Sequence, residues 1–277
     1  MSKIVFNFIF FIFVLILSLN IISLNYSPLS YLDAQMSIKE YKNTVPGYHT
    51  RLREINELKN LITIPQNNFE IKKTTSLVYE SIRHGGRDLL FFENWFLWIL
   101  SKFYEPLKKT QNIKKIVYSG LGNCNEAGAV LNGIAKLNKV PARFIALNGH
   151  IISELKIKNK WIMADADYGI IFPFGYEKML NEDPKYVGEI LRNLLNERGF
   201  DDDTIEKYEK ILLSTANNKI LKVDEALSPR LLLVETFGEM FNWFFSFLLG
   251  LTLVVLSQKK KDNITSLYLL NIKKNKE

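Results

Sequence analysis

Residues 120–131, Gly120-Leu-Gly-Asn-Cys-Asn-Glu-Ala-Gly-Ala-Val-Leu131, place the only cysteine of a 277-residue chain where a glycine-bearing turn runs into a helix. Ala127, Val130, Leu131, Ile134 and Leu137 recur at three- and four-residue steps, so the segment predicts an amphipathic helix with Cys124 in its first turn. Unpaired backbone N–H groups and the positive end of the helix dipole favour a thiolate at that position. Cys124 is therefore the candidate nucleophile, and its own backbone N–H the candidate oxyanion donor. Tyr118 reads as a packed tyrosine, with a second oxyanion donor as the sharper alternative.

Downstream, residues 140–147 read as a strand, Asn148-Gly149 as a tight turn, 151–157 as a second strand, 158–160 as a turn and Trp161 to Asp165 as a third strand. Side chains alternate faces with period two. His150, Ile152 and Glu154 then share one face, and Trp161, Met163 and Asp165 share a face of the neighbouring strand. The pattern predicts His150 and Asp165 as neighbours across the sheet: an imidazole to take the thiol's proton and a carboxylate to hold its tautomer. Asp167 faces the same way and stays open as the alternative orienter. Glu154 reads as a structural partner of Arg143, and Trp161 as core.

Taken together, Gly122-x-Cys124 opening a helix, Val140-Pro-Ala-Arg143, His150 with Glu154 four residues on, and Trp161 with Asp165 four residues on resemble the transglutaminase-like superfamily of papain-type cysteine enzymes. The resemblance covers about residues 89–175. It implies an α+β fold in which the helix carrying the cysteine packs on an antiparallel sheet. Carried over residue by residue, it implies Cys124 as nucleophile, His150 as general base and Asp165 as the residue that orients it. The implied activity is that of a thiol hydrolase or acyltransferase acting on a peptide or protein amide through a thioester. Water resolves the thioester in a peptidase or amidase, and an amine resolves it in a crosslinking transferase; likeness to the broad microbial members leans toward hydrolysis. Ile152 stands where the family usually has an aromatic residue, and Ala166 where a proline commonly follows the aspartate. These departures bear on the substrate groove and keep an alternative open: a catalytically inactive module that binds peptide or glycan in an envelope assembly complex, with envelope proteins as partners.

Composition supports one good-sized domain plus extra segments, at 47% hydrophobic and 23% charged residues. Of the formal net charge of +7, the last twenty residues hold +4, from six lysines against Asp262 and Glu277. The remaining body is near neutral, which argues against a nucleic-acid surface. One cysteine excludes an internal disulfide and any cysteine-rich metal site. His49, His84 and His150 lack metal-ligand spacing, and no calcium loop is visible, so the reading expects no metal and no cofactor.

Ile4 to Ile22 is nineteen residues of nearly unbroken apolar character, enough to cross a bilayer; an uncleaved anchor is favoured over a signal peptide. Residues 25–37 carry no lysine or arginine. Residues 36–61 read as helical or mixed, interrupted at Pro46-Gly47, and 72–83 as a helix ending at Gly85-Gly86. Residues 89–104 predict a long aromatic-rich core helix beside the cysteine helix. Residues 168–175 read as a loop or edge strand, and 184–198 and 202–213 as two helices outside the resemblance, forming a lid or docking surface. Asp201-Asp-Asp reads as a helix cap. Residues 237–256 form a second apolar run with Lys259-Lys-Lys after it. Lysines at both ends of this hairpin predict a cytoplasmic tail over 257–277 against anionic lipid, and residues 25–236 on the extracytoplasmic, periplasmic side of an inner membrane.

Overall fold

Lys158 and Asn159 both adopt positive φ (48° and 65°), the left-handed pair that a two-residue hairpin turn requires, and Gly149 (φ 90°) serves the turn before it. These two turns fold residues 142–165 into an antiparallel meander. The computed structural model describes residues 3–25, 58, 60–62, 69–85, 88–91, 93–110, 112–214, 218–221 and 228–274. In chain order the elements are α1 (Lys3–Asn25), α2 (Ile71–Ser81), β1 (Arg83–His84), α3 (Trp95–Leu100), a 3₁₀ turn (Glu105–Lys108), α4 (Ile113–Ser119), β2 (Leu121–Gly122), α5 (Cys124–Leu137), β3 (Ala142–Leu147), β4 (His150–Ile157), β5 (Lys160–Asp165), β6 (Ile170–Ile171), α6 (Tyr176–Met179), α7 (Pro184–Arg198), α8 (Asp202–Leu213), β7 (Lys219–Leu221) and α9 (Pro229–Lys274). The readings on 26–57 lie outside the described residues.

The chain divides into two compact units, one from 27–88 with 109–233, the other from 1–26, 89–108 and 234–277. The first is a mixed α+β unit. Its sheet runs β6-β5-β4-β3-β7, antiparallel throughout, with Phe144 opposite Ser153 and Glu154 opposite Met163. Period-two alternation sends Leu155 and Ala164 into a core with Val130, Leu131 and Ile134 of α5. It sends Ile152 and Met163 into a second core with Leu191 of α7 and Ile205, Tyr208 and Leu212 of α8. Each such Leu or Ile contributes about 1.5–3 kcal/mol by leaving water. Helix α5 approaches the sheet closely because residue 128 is glycine. A Cβ there would stand 3.0 Å from the Phe144 ring, and Ser153 Oγ donates to the Gly128 carbonyl at 3.3 Å.

Helices α7 and α8 match the spans read from sequence. Asp183 and Asp201 cap them, and Gly199 (φ 81°) ends α7 in the left-handed conformation. They are not a detached lid, because their apolar stripes complete the second core.

The second unit holds α1 and most of α9, two helices long and apolar enough to cross a membrane, with candidate spans Val5–Ile22 and Arg230–Lys259. The segment 89–108 belongs here, which corrects the expectation of a long core helix beside α5. Only Trp95–Leu100 is helical, started by Asn94, whose side chain accepts from Leu97 N–H. The Trp95 and Phe96 rings pack with Phe241 of α9, so the aromatic run finds its apolar neighbours in this unit. Buried amides hold the elements of this unit to one another. Asn20 donates to the Asn242 carbonyl (2.9 Å) and to Ser246 Oγ (2.8 Å), Trp95 Nε1 donates to Asn20 Oδ1 (3.3 Å), and Asn242 donates to Asn94 Oδ1 (3.0 Å). Polar groups in apolar surroundings need such partners.

Candidate active site

Cys124 is the first residue of α5, as its sequence predicts, and is half-buried. A capping box fixes the turn in front of it: Asn123 accepts from the Glu126 N–H, and the Glu126 carboxylate accepts from the Asn123 N–H at 2.8 Å. The box engages those two amides and leaves the Cys124 N–H outside it. Behind the turn, the two-residue pair β1–β2 runs parallel, with His84 beside Gly122. That register brings a second histidine to the cysteine's end of the unit.

His150 opens β4. The β4–β5 register, with Glu154 opposite Met163, would place residue 167 opposite residue 150 if β5 continued. It does not; β5 stops at Asp165 and a turn follows. His150 therefore takes the diagonal neighbour on the same face, and its Nε2–H donates to Asp165 Oδ2 at 2.6 Å. Asp165 is fully buried and saturated: Oδ2 also accepts from the Tyr208 hydroxyl, and Oδ1 accepts from the N–H groups of Asp167 (2.8 Å) and Tyr168 (3.2 Å). Tyr168 and Tyr208 meet the His150 ring edge to face, with centroids at 5.6 and 5.3 Å, and limit how it turns. With Nε2 committed to Asp165, Nδ1 is the nitrogen left for the thiol's proton. The Cys124 sulfur lies within 4.8 Å of a ring nitrogen.

Electrostatics follow from these contacts. Burial opposes charge on His150, but the Asp165 carboxylate and the Cys124 thiol outweigh it and hold the imidazole pKa well above its ordinary value. Burial likewise opposes charge on Asp165, and His150, Tyr208 and the Asp167 amide outweigh it, so its pKa falls below the ordinary carboxylate value. The two directions agree, since the charged form of each partner favours that of the other.

Set against known protein families, curated proteins and solved structures, the chain matches none.

Asp167, the alternative orienter in the sequence reading, lies near the His150 ring but bonds a different histidine. His84 Nδ1 donates to both of its oxygens, at 2.9 and 2.7 Å. The side chain of Asp167 is 2% exposed and that of His84 is 59% exposed. Burial pushes the Asp167 pKa up, and the hydrogen bond to Asp167 raises that of His84. Glu154 is structural, as expected; its carboxylate accepts from Arg143 Nε and from the Tyr176 N–H. Trp161 is only partly buried and carries the Arg143 guanidinium 4.2 Å above its ring. Tyr118 is 48% exposed, which removes the packed reading. Asp201 caps α8. Tyr208 and His84 escaped sequence reasoning: Tyr208 sits in an ordinary apolar stripe with Ile205 and Leu212, and His84 reaches the site only through a two-residue parallel pairing.

Proposed function

We propose that the protein is a membrane-anchored thiol hydrolase or acyltransferase acting on amide or peptide bonds, built on a transglutaminase-like domain. The observation that carries the reading is the His150–Asp165 hydrogen bond at 2.6 Å, which presents the ring to the Cys124 thiol at a helix start. Cys124 transfers its proton to His150, and the thiolate attacks the amide carbonyl. The Cys124 N–H stabilises the developing oxyanion. As the tetrahedral intermediate collapses, the C–N bond breaks and His150 gives its proton to the leaving amine, which leaves a thioester on Cys124. His150 then takes a proton from water or an acceptor amine, whose attack releases the acyl group and restores the thiol. Asp165 keeps the ring in one tautomer and stabilises the imidazolium formed between the steps.

The two apolar helices support membrane association. Lys3 and Lys259–Lys261 at their ends support a cytoplasmic tail and an extracytoplasmic catalytic unit, facing peptide substrates and envelope proteins in the periplasm. The test uses the purified full-length chain in detergent, incubated with a mixture of peptide amides, with mass spectrometry of the Cys124 peptide. An acyl adduct on Cys124 that is lost on adding hydroxylamine and is missing in His150→Ala supports the reading. A thiol that accumulates no adduct, in a chain that cleaves no peptide, favours the inactive binding module instead.

A further inference from the structure

We propose that the same cluster is a zinc-binding site whose ligands are Cys124, His150 and Asp167. One ligand atom from each, the sulfur, a ring nitrogen and a carboxylate oxygen, lies within 4.8 Å of the other two. They come from three places in the fold: the start of α5, the start of β4 and the turn after β5. Thiolate, imidazole and carboxylate are the donors zinc accepts, and three protein ligands with a fourth position open to water is a common zinc arrangement. Bonds of about 2.0–2.3 Å in tetrahedral geometry place ligand atoms roughly 3.3–3.8 Å apart. Closing the observed triangle to that size takes movements of about 1 Å, within reach of side-chain torsions in three short residues. The sulfur ligand selects zinc over the hard cations magnesium and calcium.

A second observation is independent of the triangle: both of its harder ligands already have the outer partners that metal ligands need. The His150 ring is oriented by Asp165 through Nε2, which leaves Nδ1 for a metal. The Asp167 carboxylate is held by His84 Nδ1, with the imidazole on the solvent side. Asp167 also has no part in the acyl-transfer chemistry above, although it is an almost fully enclosed carboxylate whose backbone N–H binds a second one, Asp165. A divalent cation at this point compensates two neighbouring negative groups and gives the carboxylate a ligand role. Binding engages the deprotonated thiol and the neutral ring, and it releases the displaced proton to solvent.

Zinc bound there holds the sulfur lone pair and the ring nitrogen together, so it blocks nucleophile and base at once. This regulatory consequence rests on the acyl-transfer reading; the binding does not. The experiment takes the full-length protein in detergent, stripped with a chelator, and titrates zinc against a chromophoric competitor, with cobalt(II) as the optical probe of thiolate ligation. Expected are one metal per chain, a sulfur-to-cobalt charge-transfer band that vanishes in Cys124→Ser, and affinity about 10–100-fold weaker in His84→Ala, which removes the outer partner of Asp167 at an exposed position. Asp167→Asn is expected to weaken binding by more than His84→Ala does. Unchanged zinc affinity in both Asp167→Asn and His84→Ala, or a cobalt spectrum without the thiolate band, overturns the site. Alkylation of Cys124 in chelator is read in parallel. Fast, His150-dependent alkylation without zinc binding removes only the metal site, whereas tight zinc binding with slow, His150-independent alkylation removes the acyl-transfer reading and leaves the metal site standing.

Discussion

Each of the two units buries polar side chains, Glu235 among those of the unit with the apolar helices, but the α+β unit gathers ionisable groups into one cluster. In the unit with the apolar helices, Asn20, Asn94, Asn242 and Ser246 are neutral groups that hydrogen-bond to one another across three stretches of chain. In the α+β unit, two carboxylates, two imidazoles and a thiol meet at one end of the sheet. Neutral amides fix how helices sit together at small cost. Buried ionisable groups cost several kcal/mol each unless fully partnered, and in the α+β unit the buried His150, Asp165 and Asp167 each have such a partner. The proposed chemistry lies in the α+β unit, and the two apolar helices belong to the other.

The largest effect expected from this contrast is on turnover. Cys124→Ala is expected to lower amide cleavage by about 10⁴-fold or more while leaving the denaturation midpoint nearly unchanged. A variant with residual activity near wild type breaks the assignment of chemistry to this cluster. Next comes Asp165→Asn, which leaves His150 buried beside a neutral amide. It is expected to cost about 3–5 kcal/mol in chemical denaturation.

The pH dependence of stability sharpens the same point. His150 is raised above its ordinary 6.5, so its contribution is complete below 6.5 and is lost as pH rises through the higher folded value. Asp165 is lowered below 3.8, so its contribution is complete above 3.8 and is lost as pH falls through the lower folded value. The pair is therefore at full strength between those two ordinary values. Asp165→Asn is expected to flatten the alkaline fall of the melting temperature measured in chelator. An unaltered profile means that the pair does not carry it.

Smaller again, Tyr208→Phe removes one of four hydrogen bonds to a buried carboxylate and is expected to cost about 1–3 kcal/mol, with turnover reduced less than in Asp165→Asn. Least of all, Asn242→Leu is expected to cost about 0.5–2 kcal/mol. Its Cys124 alkylation rate should equal that of wild type. A change in that rate would mean that the amide cluster is coupled to the thiol.

Much of the α+β unit was legible because its signals are local. The Asn148-Gly149 and Lys158-Asn159 turns, the 3.6-residue stripe after Cys124, and the caps at Asp183 and Asp201 each act within a few residues, and the elements stand where those signals put them. His150 and Asp165 were legible as same-face residues, and the spacing from Trp161 favoured Asp165 over Asp167, but alternation alone did not make that choice. It depends on β5 ending at Asp165, an ending that period-two alternation does not encode. The β1–β2 pairing spans nearly forty residues of sequence and involves two residues per strand, so nothing in the chain announces that His84 will reach Asp167. Residues 89–104 misled for a different reason. An aromatic-rich run shows that it seeks apolar neighbours, not which unit supplies them; Phe103 and Tyr104 stay exposed, and Asn94, which caps the six-residue helix, has Asn242 beside it.

The most direct test of the central claim is the rate at which a small neutral alkylating reagent modifies Cys124 at about pH 6, in chelator, in wild type and in His150→Ala. Convergence of thiol and imidazole predicts rapid modification of the wild type and a loss of about tenfold or more in the variant. Equal rates in the two proteins would contradict it.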